Sequence, residues 1–329
     1  MKRKSSELIL GSGVGAVLLT VLSAGAQAAE GIRPAGPIGG TDIKQALLPP
    51  PGLYGVGVGI YMDLPARFST PNRELDSSGS TGAAGVGLLY VYDGEVLGGS
   101  LASSVSASYE RTCFGLNPGP ETCSSGFADV YSDVLMWSRF FPSADFASQL
   151  SGSTPIPYGL TVLVGLGVNF STGTYDSERP VNIGSNVFDI APNFALTYTT
   201  KSIFGDAPGQ ATEFSARLFL NNYTKNSDTD YQTGRLANVD FAITQRVNQW
   251  QFGLAGAAYA QFEDDEIGGR KHPNDGNRML GLSVGPIVSY DLMWDEKPWN
   301  ATLKGFTTVA GENATVANGI IFRLSTKVF

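Results

Sequence analysis

The sequence predicts an all-β fold, a transmembrane antiparallel β-barrel of about 12 strands with an N-terminal periplasmic or lumenal arm. Three observations support this fold class. After Gly52, segments of about a dozen residues alternate apolar with small or polar side chains and end in polar breaks. The chain contains 41 glycines, 13 tyrosines and 18 phenylalanines, and only 16% of its residues are charged. It also begins with a segment typical of exported proteins.

An export signal is predicted over residues 1–28. Its basic start is Lys2-Arg3-Lys4, its apolar stretch is 8–22 and its cleavage pattern is Ala26-Gln27-Ala28. The apolar stretch is shorter than the ~20 residues of a membrane-spanning helix and contains glycines, which favours cleavage near Ala29 over an uncleaved anchor. Losing three basic residues and Glu7 changes the formal net charge from −8 to −10. Such an acidic chain argues against nucleic acid as a partner.

Residues 29–51 form a proline- and glycine-rich arm without apolar alternation. We expect this arm to fold into the barrel lumen as a plug. The reason is room along one wall, because five glycines of the first two strands are expected to face inward: Gly55, Gly57, Gly59, Gly85 and Gly87. The alternative is a disordered periplasmic tail.

Residues 52–329 form the predicted outer-membrane barrel. In 278–292, for example, the even positions are apolar and most odd positions are small or polar, which segregates the two faces of a strand. Twelve candidate strands follow from this pattern, at 52–63, 81–94, 98–111, 125–141, 156–170, 185–199, 211–223, 236–247, 249–262, 278–292, 298–309 and 315–329. The loops between them mostly alternate long and short, which places both chain ends on the periplasmic side.

The competing fold is a soluble β-sandwich, which also has short alternating strands. Uniformly long strands with a full apolar face would leave more apolar surface than one core can cover, which disfavours the sandwich. Aromatic residues near the strand ends, among them Tyr158, Tyr223, Trp250 and Tyr290, are expected to form an interfacial girdle on the outer surface.

The two cysteines, Cys113 and Cys123, are expected to form a disulfide in an external loop, because the compartment is oxidising and no other thiol exists. The chain has one histidine, His272, so a zinc site of four ligands is not available. We expect no metal and no cofactor.

A series of motifs runs over about 165–290. They are Gly173-Thr174-Tyr175-Asp176, Asn182, Gly184, Asn186, Thr229-Asp230-Tyr231-Gln232-Thr233-Gly234, Trp250-Gln251-Phe252-Gly253-Leu254-Ala255-Gly256, Tyr259-Ala260-Gln261-Phe262, Asp264-Asp265, Gly281 and Gly285-Pro286. In their order and spacing the chain resembles the outer-membrane family of meta-pathway phenol-degradation proteins, which is grouped with aromatic and long-chain fatty-acid uptake barrels. The resemblance implies a barrel channel linked to the degradation of aromatic compounds.

If the apolar faces contact lipid, the opposite faces line the lumen. Nine charged or polar residues are candidates for this lining: Asp129, Asp133, Arg139, Asp189, Asn193, Arg217, Asp240, Lys304 and Arg323. Arg217 and Asp240 are expected to meet across a hairpin as an inward ion pair. Such pairs either select solutes or only brace the wall.

The expected function is an outer-membrane channel of a Gram-negative bacterium for passive uptake of small hydrophobic or aromatic compounds. The alternatives are a structural or adhesive barrel and, last, a barrel hydrolase. We expect no enzyme, because His272 lies in a polar loop with no serine at a catalytic spacing. The acidic run 263–266 is a candidate for binding a divalent cation or bridging lipopolysaccharide, although an acidic run is more often simply solvated. The expected partners are outer-membrane lipid, lipopolysaccharide, the barrel-assembly machinery and a small hydrophobic solute.

Overall fold

A computed structural model of the chain describes residues 34, 40–70, 73–147, 156–205 and 209–329. The predicted export signal and most of residues 29–39 lie outside the described residues. The described part is built mainly from strands. It has one helix of four residues, and no helix there is long and apolar enough to cross a membrane.

The bounds of the elements agree closely with the alternation of apolar side chains. They are β1 Gly52–Thr70, β2 Arg73–Val96, β3 Gly99–Leu116, β4 Thr122–Phe127, β5 Val130–Pro142, α1 Ala144–Ala147, β6 Gly159–Phe170, β7 Asp189–Lys201, β8 Ala211–Tyr223, β9 Tyr231–Gln232, β10 Leu236–Val247, β11 Trp250–Gln261, β12 Glu266–Ile267, β13 Arg270–Lys271, β14 Leu280–Trp294, β15 Lys297–Glu312 and β16 Ala314–Lys327. The predicted strands 211–223 and 236–247 coincide with β8 and β10.

Twelve long antiparallel strands close into a barrel. Their order is β2-β1-β16-β15-β14-β11-β10-β8-β7-β6-β5-β3, and β2 pairs with β3 to close the ring. The short β4 pairs with the outer end of β3 and continues along the line of β5, so the two occupy one strand position. Strands β9, β12 and β13 form a small separate sheet in the external loops. The predicted fold class and strand number are confirmed.

The first hairpin differs from the sequence prediction. A long loop was expected over 64–80, but β1 extends to Thr70 and β2 starts at Arg73, so the two strands pair beyond the predicted ends. The buried inner positions Leu64, Ala66 and Phe68 continue the apolar alternation of β1. This packing keeps the hairpin extended.

The outer surface of the barrel is apolar. On most strands every second side chain is a large, exposed, apolar one, for example Val86, Leu88, Val164, Leu166, Phe194, Leu218, Leu254 and Phe322. Aromatic side chains such as Trp250 and Tyr290 contact each other near the strand ends, with ring centroids 4.5 Å apart. A closed barrel with this outer belt fits the outer membrane. The prediction that Tyr158 and Tyr223 belong to the aromatic girdle on the outer surface is wrong, because both side chains are buried.

Strand β1 has the opposite orientation from the one expected. Its apolar side chains face the lumen, whereas Gly55, Gly57 and Gly59 alternate with them and face outward, so the prediction for these three glycines is wrong. Gly85 and Gly87 on β2 do face inward. They lie directly across from Val58 and Val56, and a Cβ at Gly85 would lie 3.1 Å from Val58 Cγ1. The glycines of β2 therefore make room for the valines of β1.

Candidate functional site

The lumen of the barrel contains a stretch of the arm. Residues 40–46 and Pro49 are buried, although they belong to no strand or helix. Backbone groups outside regular structure must find other hydrogen-bond partners when they are buried. Here the inner faces of β7, β8, β10 and β5 supply many of these partners.

Asp42 forms the first charged contact between the arm and the wall. Its carboxylate lies 3.2 Å from Lys304 Nζ on β15 and 2.5 Å from Arg323 Nη2 on β16. Arg323 also donates to the carbonyl of Gly40. Because Asp42 is fully buried, its charge is stable there only with such partners.

Lys44 forms the second charged contact. Its Nζ lies 3.4 Å from Asp291 Oδ2 on β14, and Asp291 is also paired with Arg246 on β10. The backbone N–H of Lys44 donates to Glu213 Oε1 on β8 at 2.8 Å. The two opposite charges of the arm are therefore held by the neighbouring strands β14, β15 and β16, and the N–H of Lys44 reaches β8, which fixes the position of the segment.

Neutral hydrogen bonds complete the attachment of the arm. Thr41 donates from its N–H and its hydroxyl to Asp240, at 3.0 and 2.7 Å. Gln45 N donates to Ser215 Oγ at 3.0 Å, and Ala46 N donates to Thr197 Oγ1 at 3.0 Å. The carbonyl of Ala46 accepts from Ser138 Oγ at 2.5 Å. Each contributes about 1 kcal/mol to stability, so together they hold the segment firmly.

Arg217 lies at the centre of a second buried network. Its Nη2 is 2.7 Å from Asp133 Oδ1 and 2.6 Å from Asn193 Oδ1, and Tyr131 donates to Asp133 at 3.0 Å. Arg217 and Asp133 are both fully buried. Asp240 is the Cα partner of Arg217 across the hairpin, as the sequence predicts. The ion pair of Arg217, however, joins it to Asp133 on β5.

Glycines on β6 allow the side chain of Arg217 on β8 to contact Asp133 on β5. A Cβ at Gly165 would lie 2.7 Å from Asn193 Oδ1, and one at Gly167 would lie 2.4 Å from Tyr131 Oη. Strands β6 and β7 separate β5 from β8 in the barrel. The glycines leave the space through which the Arg217 network crosses the inner surface.

Two of the predicted lining residues lie elsewhere. Arg139 is exposed, its guanidinium stacks on the Phe141 ring at 4.9 Å and it donates to Leu97 O at the turn between β2 and β3. The prediction for Arg139 is wrong because β5 has an irregularity between Asp133 and Leu135, which reverses the inward and outward positions beyond it.

The prediction that Asp129 lines the lumen is also wrong. It lies between β4 and β5, where strand alternation does not apply, and it accepts hydrogen bonds from the backbone of Thr172, Gly173 and Ser185. It therefore anchors the external loop between β6 and β7. Asp189, at the start of β7, is buried and accepts from Asn222 N at 2.9 Å.

An apolar wall faces the charged networks. We define it by eight inward side chains of β1 and β2: Tyr54, Val56, Val58, Ile60, Met62, Leu64, Leu89 and Val91. Ala46 and Leu48 of the arm pack against the same cluster. In the closed order of twelve strands, β8 is the sixth neighbour of β1 in either direction. Arg217 on β8 therefore lies across the lumen from the apolar wall, whereas the partners of Asp42 adjoin that wall on β15 and β16.

The sequence of residues 68–324 matches the family described as "Putative MetA-pathway of phenol degradation". The match spans most of the barrel. The chain belongs to this family. The matched region begins at residue 68, after the arm. It therefore includes the strands whose side chains bind the arm, but not the arm itself.

One solved structure shares the fold of this chain, and others are similar to a smaller degree. The COG4313 outer membrane channel from Pseudomonas putida F1 is similar at a TM-score of 0.67 and 13% identity, covering 86% of this chain and 97% of that one. The toluene transporter TodX of P. putida covers 94% and 99% at 10% identity, but its TM-score is 0.28. The β domain of the Bordetella autotransporter BrkA covers 84% and 99% at 12% identity and a TM-score of 0.43. No curated protein matches the sequence.

The external loops hold the remaining chemical groups that the sequence analysis singled out. Cys113 and Cys123 are joined by a disulfide between β3 and β4. His272 accepts from Asn274 N at 3.2 Å through Nδ1, and its ring lies 6.0 Å from the ring of Tyr231. These contacts hold the His272 ring against the neighbouring external loop.

The acidic run 263–266 is mostly engaged within the protein. Glu263 pairs with Arg235, and Asp264 with Lys271 and Arg278. Burial raises the pKa of Asp265 above its usual range, although hydrogen bonds from Tyr231, Gly234, Gln261 and Asn277 oppose this rise. Only Glu266 remains as an exposed carboxylate of this run.

Sequence reasoning missed the residues that hold the arm. Asp42 and Lys44 belong to an irregular segment without periodicity, and their partners lie more than 160 positions away. One signal was available: two opposite charges stand two residues apart between the glycines that precede them and the prolines that follow them in the arm. A charged pair there indicates a segment that docks on polar partners.

Proposed function

We propose that this protein is an outer-membrane channel for passive uptake of small hydrophobic or aromatic compounds, closed at rest by residues 40–49 of the arm. One observation carries the proposal. The arm segment lies buried in the lumen between charged groups that hold it and an apolar wall that it covers.

The chemistry of the lumen favours apolar solutes. The charges of the wall are paired with the arm or with each other, so the wall offers an ion little compensation for lost hydration. The apolar wall runs along β1 from Tyr54 to Leu64. A barrel strand is tilted by roughly 40° and crosses the apolar band of the membrane in about 9 to 11 residues, so this wall runs along roughly the whole membrane depth.

The family description agrees with this proposal. It names phenol degradation, and an enzyme pathway inside the cell needs its aromatic substrate to cross the outer membrane. The similar COG4313 protein is named as an outer membrane channel. The family description supports an aromatic solute for this chain, and the similar channel supports transport.

A reversible lock on the arm tests the proposal. Gln45 N lies 3.0 Å from Ser215 Oγ, so the arm and the wall are close there, and the pair Gln45→Cys and Ser215→Cys is used as the lock once mass spectrometry shows its disulfide. The initial uptake of ring-labelled toluene is measured in porin-deficient cells that make this variant. We expect oxidised cells to take up toluene severalfold more slowly than reduced ones.

The control is the wild-type protein under the same oxidant and reductant, because reduction also opens Cys113–Cys123. Its uptake is expected to stay above that of cells without the protein in both conditions. Equal uptake by cells with and without the protein would overturn the transport function. Equal uptake by locked and unlocked variants would overturn closure by the arm.

A structural barrel with a permanently filled lumen is the second candidate. The number of hydrogen bonds between arm and wall favours it. It predicts that the lock changes neither uptake nor growth on aromatic compounds, whereas loss of the protein changes envelope integrity, measured by sensitivity to detergent.

A further inference from the structure

Unpaired polar atoms are concentrated on the inner faces of β8 and β10. Arg217 Nη1, Asn221 Oδ1, Tyr223 Oη and Asn238 Nδ2 are buried and have no hydrogen-bond partner among the described residues. Their side chains are 0%, 1%, 8% and 1% exposed. Buried polar groups in native proteins are nearly always paired, so a group of unpaired ones requires an explanation.

These atoms follow one line along the barrel wall. Arg217, Asn221 and Tyr223 share the inward face of β8, and Asn238 on β10 lies across from Phe219 of that face. Asn221 Nδ2 donates to Asn238 Oδ1 at 2.7 Å, which brings the two amides together. Neighbouring inward positions of a strand are about 6.7 Å apart. We call the residues Arg217, Phe219, Asn221, Tyr223 and Asn238 the β8–β10 column.

Aromatic rings border the unpaired amide on both sides. Asn238 has Phe219 as its partner on β8 and Tyr259 as its partner on β11. Tyr223 and Tyr259 belong to one apolar cluster with Leu236 and Met279. Side chains directly opposite in a sheet have Cβ atoms about 5 Å apart. A hydrogen-bond donor between two rings suits a flat apolar molecule with one polar group.

The charges near the column exclude an anion. Arg217 is neutralised by Asp133, and two further carboxylates, Asp240 and Asp189, are buried on the neighbouring strands. A carboxylate solute would face these groups without a free cation of its own. A neutral hydroxyl instead accepts from Asn238 Nδ2 or Arg217 Nη1 and donates to Asn221 Oδ1 or Tyr223 Oη.

We infer that the β8–β10 column is a binding subsite for neutral aromatic molecules that carry a hydroxyl group. This inference deepens the proposed transport function and rests on it. The ring packs beside Phe219 and Tyr259, and the hydroxyl pairs with the polar atoms that the closed barrel leaves unpaired.

The column lies next to the arm on the extracellular side. Thr41 binds Asp240, and Asp240 is two residues from Asn238 on β10. The column is closed in this state, so a solute enters it only as the adjoining side chains or the arm move. A solute that pairs with the unpaired atoms has more affinity for the open state than for the closed one, and it therefore shifts the population towards opening.

Tyr223→Phe is the sharpest test, because it removes an unpaired hydroxyl and no hydrogen bond. Binding of phenol, toluene and benzoate to the full-length protein in detergent is measured by saturation-transfer NMR and calorimetry. The matched control is Tyr198→Phe, which removes a hydroxyl from the exposed outer face of β7. Asn238→Ala is the second variant, since Asn221 Nδ2 keeps its bond to Leu236 O.

We expect wild-type protein to bind phenol more tightly than toluene and benzoate. Tyr223→Phe and Asn238→Ala are expected to weaken phenol binding roughly 3- to 10-fold, the range for loss of one hydrogen bond, and to leave toluene binding unchanged. Tyr198→Phe is expected to match the wild type. Each variant is first shown to fold by its heat-modifiable gel migration.

Three results would overturn the inference. They are equal phenol affinity in all four proteins, parallel losses of phenol and toluene affinity, and tighter binding of benzoate than of phenol. Uptake of toluene by cells making the same variants separates this failure from failure of the proposed function. If toluene still enters through the protein, the transport function is supported and only the proposed subsite for the hydroxyl group is wrong.

Discussion

Asp42 and Arg323 meet inside the barrel, with 2.5 Å between Oδ1 and Nη2, although 281 positions separate them in the chain. The contact joins the arm to the last strand. We expect Asp42→Asn, which keeps the shape and removes the charge, to loosen the arm and raise the single-channel conductance severalfold. Asp145→Asn in the exposed pair with Lys201 is the control and is expected to change nothing. An unchanged conductance in Asp42→Asn would mean that this ion pair does not hold the arm.

Reversal of the same pair gives a second test of the contact. Asp42→Arg alone places like charges together and is expected to open the channel further. The double variant Asp42→Arg with Arg323→Asp restores opposite charges, so conductance is expected to return towards the wild-type value. Additive effects of the two changes would show that the residues do not act on each other.

Arg217 and Asp133 are expected to contribute to barrel stability as a unit. Arg217→Met leaves Asp133 buried without its cation and is expected to lower the free energy of unfolding by about 3–5 kcal/mol, measured by urea unfolding in lipid vesicles. The double variant Arg217→Met with Asp133→Leu is expected to recover most of this loss. If the double variant is as unstable as the sum of the two single variants, the pair is not coupled.

Much of the fold follows from the sequence, and the reasons are visible in particular strands. Lipid on one side and a packed lumen on the other force strict alternation in β8 and β10, so their bounds could be predicted to the residue. The direction of the alternation could not be predicted in β1, because glycine fits either face. Arg139 was misplaced for a related reason, since the irregularity after Asp133 leaves no pattern in the sequence.

Ion-pair partners inside the lumen were less predictable than the strands. Asp240 and Arg217 are partners in register, yet Asp240 binds Thr41 and Arg217 binds Asp133. A strand pattern gives only the neighbours across a ladder. Contacts across the lumen depend on side-chain length, on the small residues Gly165 and Gly167 and on the path of the arm.

The disulfide Cys113–Cys123 is expected to stabilise the outer hairpin of β3 and β4 rather than the barrel. A closed loop of about ten residues contributes about 3 kcal/mol in the chain-entropy account. Cys113→Ser with Cys123→Ser is expected to speed proteolysis at residues 117–121 and to leave the heat-modifiable migration unchanged. Loss of the folded barrel in this variant would contradict the assignment.

Asp265 is expected to make the external loops more stable at low pH. Its pKa is raised in the folded protein, so the folded loops bind a proton more tightly than the unfolded chain. Stability is therefore greatest below the usual pKa of an aspartate and is lost as the pH rises through the raised value. The hydrogen-exchange protection factors of residues 263–279, corrected for the intrinsic exchange rate at each pH, are expected to be higher at pH 4 than at pH 7. Asp265→Asn is expected to reduce this difference, and an unchanged difference would assign it to other groups.

Single-channel conductance of the full-length barrel and of a variant lacking residues 40–49 is the most direct measurement of closure by the arm. Both proteins are reconstituted in planar bilayers after their heat-modifiable migration shows that they fold. The account predicts small, brief openings for the full-length protein and a large, steady conductance for the shortened one. Equal conductances would contradict it, because the barrel would then be open or closed without help from the arm.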